Sequence, residues 1–435
     1  MRKKYWFYID SYVHISIKKN AVLFYNPYTG KILEYSDEPG ILGLVKKLRL
    51  PANLRVVPLW ETELNNPVIR EFVSNIKENF MGDLLDTGAS HSKPVQLPPF
   101  PKVNKDVKYL KMDKNRSVGE DIMDYLTDLR IYVNDRCRHN CNICACAYRQ
   151  FPCCTSGRRG QRELVIDYLK TLTEETRSAP YLDYHILGGS IFEYSMMEQA
   201  IEIIKGLSNR KIFYIHYLNV NPGKERLKML KEAGGELMML INWPLDEVKL
   251  KLAFDAVFTS GIESNITFII RDEQDFAQAD RIIDGYSLRT FEVKALYTGS
   301  NRAFFEENIY IGNDEIEEAR PSLKDIYSRS FVNAFHFGKL TVLPNRAVYA
   351  DVNAPYLGIL GKDSIYEIMM KELSQGKSWR NIRRNVSPCK SCTYECLCPP
   401  ISNYSTAIGR YDMCRIRKEK TWGKDRKMET QRTEP

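Results

Sequence analysis

The 435-residue chain lacks any run near the roughly 18 uninterrupted apolar residues that a membrane helix requires. Its apolar runs, such as Leu237 to Ile241, have the length of core strands. It also lacks a secretion signal. Met1-Arg-Lys-Lys-Tyr-Trp-Phe-Tyr-Ile-Asp10 is basic but has neither a long apolar stretch nor a small-residue cleavage site. The expected location is therefore the cytoplasm, with no membrane contact. Internal repeats are absent. Histidine is scarce, at six residues, and cysteine is missing altogether between Cys154 and Cys389.

What is present is globular. Hydrophobic residues make up 43% and charged residues 27%, proportions that exclude a disordered or collagenous chain. Half of the net charge of +8 lies at the end, where eight Lys/Arg stand against four Asp/Glu from Arg415 onward. This reads as a basic solvated tail over residues 417–435 rather than a nucleic-acid arm. No nucleic-acid partner is expected.

The first 35 residues read as strands: Tyr12–Lys18, Ala21–Tyr25 and Lys31–Tyr35. A helical pattern follows Pro39, then a short strand at Arg55–Leu59. A second helix over Asn66–Phe80 places Val68, Phe72, Ile76 and Phe80 on one stripe. Residues 1–86 are thus expected to form a small three-stranded sheet with helices, and 87–125 a proline-bearing linker and lead-in. Six apolar strands then alternate with helical stretches: Leu129–Val133, Tyr184–Leu187, Lys211–Ile215, Glu236–Ile241, Asn265–Ile270 and Phe291–Leu296. That alternation over 126–330 predicts a parallel α/β sheet or partial (βα)6 barrel, with chemistry beyond the strands' C-terminal ends. Residues 331–416 open with a hairpin at Gly338–Tyr349 and a helix at Ser364–Leu373, then turn cysteine-rich.

Eleven cysteines in a chain without a secretion signal argue for metal or redox chemistry over disulfides. Cys137, Cys141, Cys144, Cys146, Cys153 and Cys154 form one group; Cys389, Cys392, Cys396, Cys398 and Cys414 form the other. Cys137-x3-Cys141-x2-Cys144 lies directly after the first strand of the α/β region. A short loop at that spacing wraps three soft thiolates around one iron–sulfur or zinc centre, leaving one position open for chemistry. A zinc site completed by Cys146, Cys153, Cys154 or His139 is the alternative. In the second group Cys389, Cys392, Cys398 and Cys414 suit a four-thiolate zinc knuckle or an iron–sulfur cluster; either would staple a loop-rich region. His14, His185, His216 and His336 fall in or beside strands and read as core or surface residues. The vicinal pair Cys153-Cys154 reads as reduced thiols, as substrate-facing groups or as metal ligands.

CxxxCxxC on the loop after the first of six βα units resembles the radical SAM superfamily. The resemblance covers about residues 126–330. It implies a 4Fe–4S cluster on Cys137, Cys141 and Cys144 whose fourth iron takes S-adenosylmethionine, giving a 5′-deoxyadenosyl radical that abstracts hydrogen. Two positions depart from the pattern: Ile143 replaces the usual aromatic residue before the third cysteine, and Leu187-Gly188-Gly189-Ser190 replaces the Gly-Gly-Glu motif. Gly188, Gly189 and Ser190 are the implied S-adenosylmethionine contacts, the lost carboxylate weakening them by about 1–3 kcal/mol, and Glu193 is a possible substitute. The second group resembles the SPASM domain. It implies one auxiliary 4Fe–4S cluster on Cys389, Cys392, Cys398 and Cys414, because the hairpin (Val348–Asp351) and Ser402 lack the cysteines of a second. That auxiliary cluster would accept an electron or serve as structure.

The N-terminal region resembles the winged-helix recognition element of ribosomally made peptide systems, which binds a precursor's leader by strand addition. Lys31–Tyr35 is the expected edge. A DNA-binding winged helix is disfavoured, since Arg70 and Lys77 are offset by Glu71 and Glu78. Phe80-Met-Gly-Asp83, Lys93-Pro-Val-Gln96, Arg149-Gln-Phe151, Phe304–Asn308 and Leu397–Tyr404 together resemble the radical SAM-related, often "pseudo" radical SAM, proteins of Bacteroidales Gly-Gly peptide systems. The resemblance implies a peptide-modifying enzyme fed by an external reductant, or a cluster-bearing scaffold that presents precursor peptide to a partner maturase.

Overall fold

The computed structural model describes residues 3–88, 92–97, 121–139, 141, 143–154, 162–220 and 224–416. The basic tail expected over 417–435 and most of the linker expected over 87–125 lie outside them.

The N-terminal region holds two small antiparallel sheets. β1 (Lys4–Ile9) lies between β5 (Val56–Trp60) and β6 (Gly82–Asp86); β2 (His14–Lys18), β3 (Ala21–Tyr25) and β4 (Ile32–Ser36) form a meander. The three strands read from sequence are β2 to β4. β1 and β6 escaped that reading because Lys-Tyr-Trp-Phe-Tyr-Ile has large apolar groups on both faces and no alternation. Helix Pro39–Leu48 and helix Pro67–Glu78 start on prolines at their first turns, and the Asn66 side chain accepts the Val68 N–H as a cap. Phe72 anchors this core, with ring centroids 5.7 Å from Phe7, 5.6 Å from Phe24 and 5.1 Å from Tyr35. Of the expected stripe, Phe72 and Ile76 are buried but Phe80 is 70% exposed. The helix stops at Glu78, and Phe80 takes a left-handed conformation (φ 53°) that turns the chain into β6. Met81 fills the core instead.

The large sheet follows the six expected strands closely: β7 (Asp128–Tyr132), β8 (Asp183–Leu187), β9 (Lys211–His216), β10 (Gly235–Asn242), β11 (Ser264–Ile270) and β12 (Phe291–Ala295). All six are parallel and adjacent in chain order. β13 (Lys339–Val342) joins parallel to β7, and β14 (Ala347–Tyr349) and β15 (Gly358–Ile359) extend the sheet antiparallel. The hairpin expected to open the C-terminal region is thus part of the same sheet.

Alternation divides the strands between two faces. Leu129, Ile131, Tyr184, Ile186, Phe213, Ile215, Met239, Ile241 and Phe268 pack on helices such as Ile166–Glu175, Met197–Lys205 and Glu247–Ser260. The opposite, inner face carries Tyr132, Leu187, Ile212, Tyr214, Leu240, Ile269 and Leu343, with Cys153 and Cys154 among them. The C-terminal cysteine-rich region packs on the outer face of the meander: Leu23 and Tyr25 of β3 contact a cluster with Tyr394, Cys396, Leu397 and Cys398. Among the described residues no helix is long and apolar enough to cross a membrane.

Candidate functional site

The thiol loop grows out of β7. Val133 donates its N–H to Leu187 O at 2.7 Å, continuing the ladder with β8. The chain then winds against the end of β8: Ser190 N donates to Arg136 O at 2.7 Å, and the Asn134 side chain donates to Ser190 O at 2.9 Å. Gly189 is dictated by this approach, because a Cβ there would stand 1.9 Å from Arg136 O and 2.8 Å from Cys137 Cβ. The Gly188 and Gly189 amides donate to Cys154 O and Asn134 O, and Gly189 O accepts from the Asn219 side chain. Gly188, Gly189 and Ser190 therefore seat the Cys137 loop with their own backbone groups. Glu193 pairs with Arg138 at 2.8 Å.

Cys144 opens the helix Cys144–Gln150, and its thiol shares a hydrogen bond with Cys141. That bond, with His216 and His139 close by, draws Cys141 down to about 4 against the opposing effect of burial. Cys144 moves the opposite way, pushed up by the Cys141 partner, by burial and by Cys153 and Cys137. Of the two, Cys141 is the more readily ionised thiol. Cys137 Sγ lies 3.7 Å from His139 O. Among the described residues no three His, Cys, Asp or Glu side chains converge closely enough to hold a single metal ion.

His216 and Asn242 were missed as site residues. Each is the last residue of an apolar strand, β9 and β10, which places it at the edge where the thiols lie. His216 Nε2 bonds the Asn242 side-chain oxygen, and Leu218 N–H points at Nδ1 at 3.3 Å. His139 is held likewise, its Nε2 2.7 Å from the Asn219 oxygen. Two imidazoles with centroids 6.1 Å apart are thus oriented by asparagines beside Cys141, the arrangement by which outer groups fix a ligand ring. The legible signal is a polar residue ending an otherwise apolar run.

Cys153 and Cys154 are buried with sulfurs 4.0 Å apart. Their mutual hydrogen bond, then burial, then the neighbouring Cys144 and Cys137 hold the Cys154 thiol protonated.

In the second group Cys389, Cys392, Cys398 and Cys414 line one cavity of about 20 Å³ with Arg383. Burial and the three facing thiols push Cys398 up to about 12 against the pull of Arg383. The Cys389 thiol points at Tyr411 O at 3.3 Å and takes Arg383 Nη1–H at 3.5 Å. Cys396 points elsewhere, to Ser330 Oγ at 3.3 Å and Arg384 Nη2 at 3.5 Å. The four cysteines expected to act jointly thus line one cavity without three of them converging closely enough to hold a single ion, and Cys396 points away from it. No disulfide bond joins any of the eleven cysteines. Both donor sets, all soft sulfur on short loops, fit iron–sulfur groups in their chemistry.

No protein-family model matches the chain, and no curated protein is similar to it at a significant level. Solved structures are similar to it only loosely. A structure titled native anSMEcpe with bound AdoMet and Kp18Cys peptide is 12% identical over 65% of this chain and 94% of that one, with a TM-score of 0.45. Streptococcus suis SuiB bound to S-adenosylmethionine is 11% identical over 92% and 94%, at 0.38. HydG, a maturase of the [FeFe]-hydrogenase, is 16% identical over 45% and 48%, at 0.30. Likeness at this level transfers no function, so the functional reading rests on the residues.

Proposed function

We propose that the chain is a radical SAM/SPASM-type maturase that acts on a ribosomally made peptide, in the manner of the Bacteroidales Gly-Gly systems. The observation that carries this reading is the position of the Cys137-x3-Cys141-x2-Cys144 loop directly after β7, where it lies against Gly189 and Ser190 at the end of β8. Cys137, Cys141 and Cys144 would hold a 4Fe–4S cluster; Cys389, Cys392, Cys398 and Cys414 would hold an auxiliary one. When bound with S-adenosylmethionine, the first cluster supplies hydrogen-atom abstraction by a 5′-deoxyadenosyl radical, with electrons from an external reductant. Gly188, Gly189 and Ser190 border that position. β4, which among the described residues pairs only with β3, would receive the leader peptide by strand addition. The winged-helix and SPASM assignments, with boundaries near 86 and 331, and a cytoplasmic location belong to the same reading.

A second reading, a cluster-bearing scaffold for a partner maturase, draws on a specific observation. The amides of Gly188, Gly189 and Ser190 and the carbonyls of Gly189 and Ser190 are engaged within the protein, and Glu193 is occupied by Arg138. Anaerobic reconstitution with S-adenosylmethionine and dithionite decides between them. The maturase forms 5′-deoxyadenosine, and Cys141→Ala abolishes it; the scaffold binds iron and forms none.

A further inference from the structure

The turn Arg383–Asn385 sends two adjacent arginines to two different sulfurs. Arg384 Nη2 lies 3.5 Å from Cys396 Sγ, and its Nε meets the Glu395 carboxylate at 3.1 Å. Its charge is matched. Arg383 turns the other way, into the wall of the cavity that Cys389, Cys392, Cys398 and Cys414 share. Its Nη1–H points at Cys389 Sγ at 3.5 Å, and its charge acts on the Cys398 thiol as well. The other contacts of this side chain are carbonyls: Nε donates to Pro399 O at 2.6 Å and Nη1 to Tyr411 O at 3.5 Å. Arg383 has no part in the function proposed above.

The charge balance of that wall is uneven. Two carboxylates line the cavity, Glu395 and Asp412, and both are taken. Glu395 meets Lys18 at 2.6 Å and Arg384 at 3.1 Å. Asp412 accepts from Arg410 Nε at 3.0 Å and Nη2 at 2.9 Å. Among the described residues Arg383 makes no ion pair; its partners are two carbonyls and a sulfur. A guanidinium is always charged, and a half-buried cation with no counter-charge is costly. The two carbonyls fix the orientation of Arg383 but bring no negative charge. The sulfurs it faces would bring it, because cysteines hold metal as thiolates.

We infer that Arg383 raises the reduction potential of the iron–sulfur group proposed on Cys389, Cys392, Cys398 and Cys414. Such potentials follow net charge and hydrogen bonds to the sulfurs. One added electron makes the group one charge more negative, and a fixed cation beside Cys389 and Cys398 favours that state. The inference rests on the auxiliary-cluster reading above and adds to it a residue outside the cysteine pattern.

The test is a dithionite titration with redox mediators, followed by electron paramagnetic resonance, on the full-length, anaerobically reconstituted Cys141→Ala protein, where only the second site should give a signal. Adding Arg383→Gln should favour the oxidised form at least tenfold at a fixed potential, about 59 mV for one electron. Arg383→Lys keeps the charge and should recover most of that shift. Arg384→Gln, whose charge Glu395 already matches, should leave the potential near that of the parent. A smaller shift in Arg383→Gln overturns the inference, as does an equal shift in Arg384→Gln or a lysine variant that behaves like the glutamine one. Arg383 is then only a brace between Pro399 and Tyr411. Should Arg383→Gln lose its iron, electron–nuclear double resonance on the parent labelled with [15N]arginine still decides. A guanidinium nitrogen should couple to the reduced signal, and no coupling overturns the inference. Metal content separates the two claims: iron with an unmoved potential sinks the role of Arg383 alone, whereas zinc on these four thiols sinks the auxiliary-cluster reading and takes this inference with it.

Discussion

At the scale of single residues, the site depends on positions that tolerate no substitute. Gly189 has no room for a Cβ beside Arg136 O, while Gly188 meets its nearest neighbours only at 3.2 Å. Gly189→Ala should therefore destabilise the protein by about 1–3 kcal/mol and Gly188→Ala by clearly less, read from urea midpoints; equal effects would contradict the packing described. His185 offers a test by pH. Burial first, then Arg130, lowers it from 6.5 to about 4. The unfolded chain thus binds the proton more readily between those values. This contribution to stability is complete above about pH 6.5 and lost as pH falls toward 4, on the order of 3 kcal/mol. Replacing it in His185→Gln should flatten the acid limb of the unfolding free energy; an unchanged slope would show that His185 is not buried neutral. Both glycines were visible in the sequence as candidates for close approach, and what stands against them here is the protein's own chain, Arg136 O and Cys137 Cβ at Gly189 and Asn134 and Val133 at Gly188. Sequence spacing shows that a glycine is needed and leaves open what it makes room for.

At the scale of elements, the strands of the large sheet were legible because each is a short apolar run bounded by turns, and their order follows the chain. The small N-terminal strands were partly legible: β2 alternates, β3 is a β-branched and aromatic run, β4 follows a turn and β5 is a short apolar run, whereas β1 and β6 carried no such signal. The packing of the meander onto the cysteine-rich region was not legible, because it joins residues hundreds of positions apart. Lys18 at the end of β2 reaches Glu395 at 2.6 Å, Arg384 Nε meets the same carboxylate at 3.1 Å, and Glu34 on β4 accepts from Thr393 Oγ1 at 2.7 Å. Glu395 is 5% exposed, so removing one cation leaves a buried charge short of a partner. Lys18→Met should lower stability by about 1–3 kcal/mol and speed proteolytic cleavage within residues 389–398, followed by mass spectrometry. Unchanged cleavage would mean that the meander does not brace this loop.

At the scale of the whole molecule, three regions meet around two sulfur sites. The large sheet presents the first at its C-terminal edge, and the cysteine-rich region carries the second against the meander. Residues 378–416 contain only short helical turns and one six-residue helix, Asn403–Ile408, so a group on the four thiols should contribute much of their local stability. Oxidative removal of iron should make this region the first to be cut in limited proteolysis while the large sheet stays intact; simultaneous loss of both would contradict that division. That Cys389, Cys392, Cys398 and Cys414 line one cavity agrees with their spacing, whereas the meeting of His216 and Asn242 was not legible, since nothing in a linear pattern reveals that two strands end side by side.

The most direct measurement is electron paramagnetic resonance, with iron analysis, on the anaerobically reconstituted and reduced Cys389→Ala/Cys392→Ala protein. The account predicts about four irons per chain, a reduced 4Fe–4S signal that changes shape when S-adenosylmethionine is added, and loss of both in the added Cys141→Ala background. Zinc without iron at Cys137, Cys141 and Cys144, or an iron signal indifferent to S-adenosylmethionine, would contradict it.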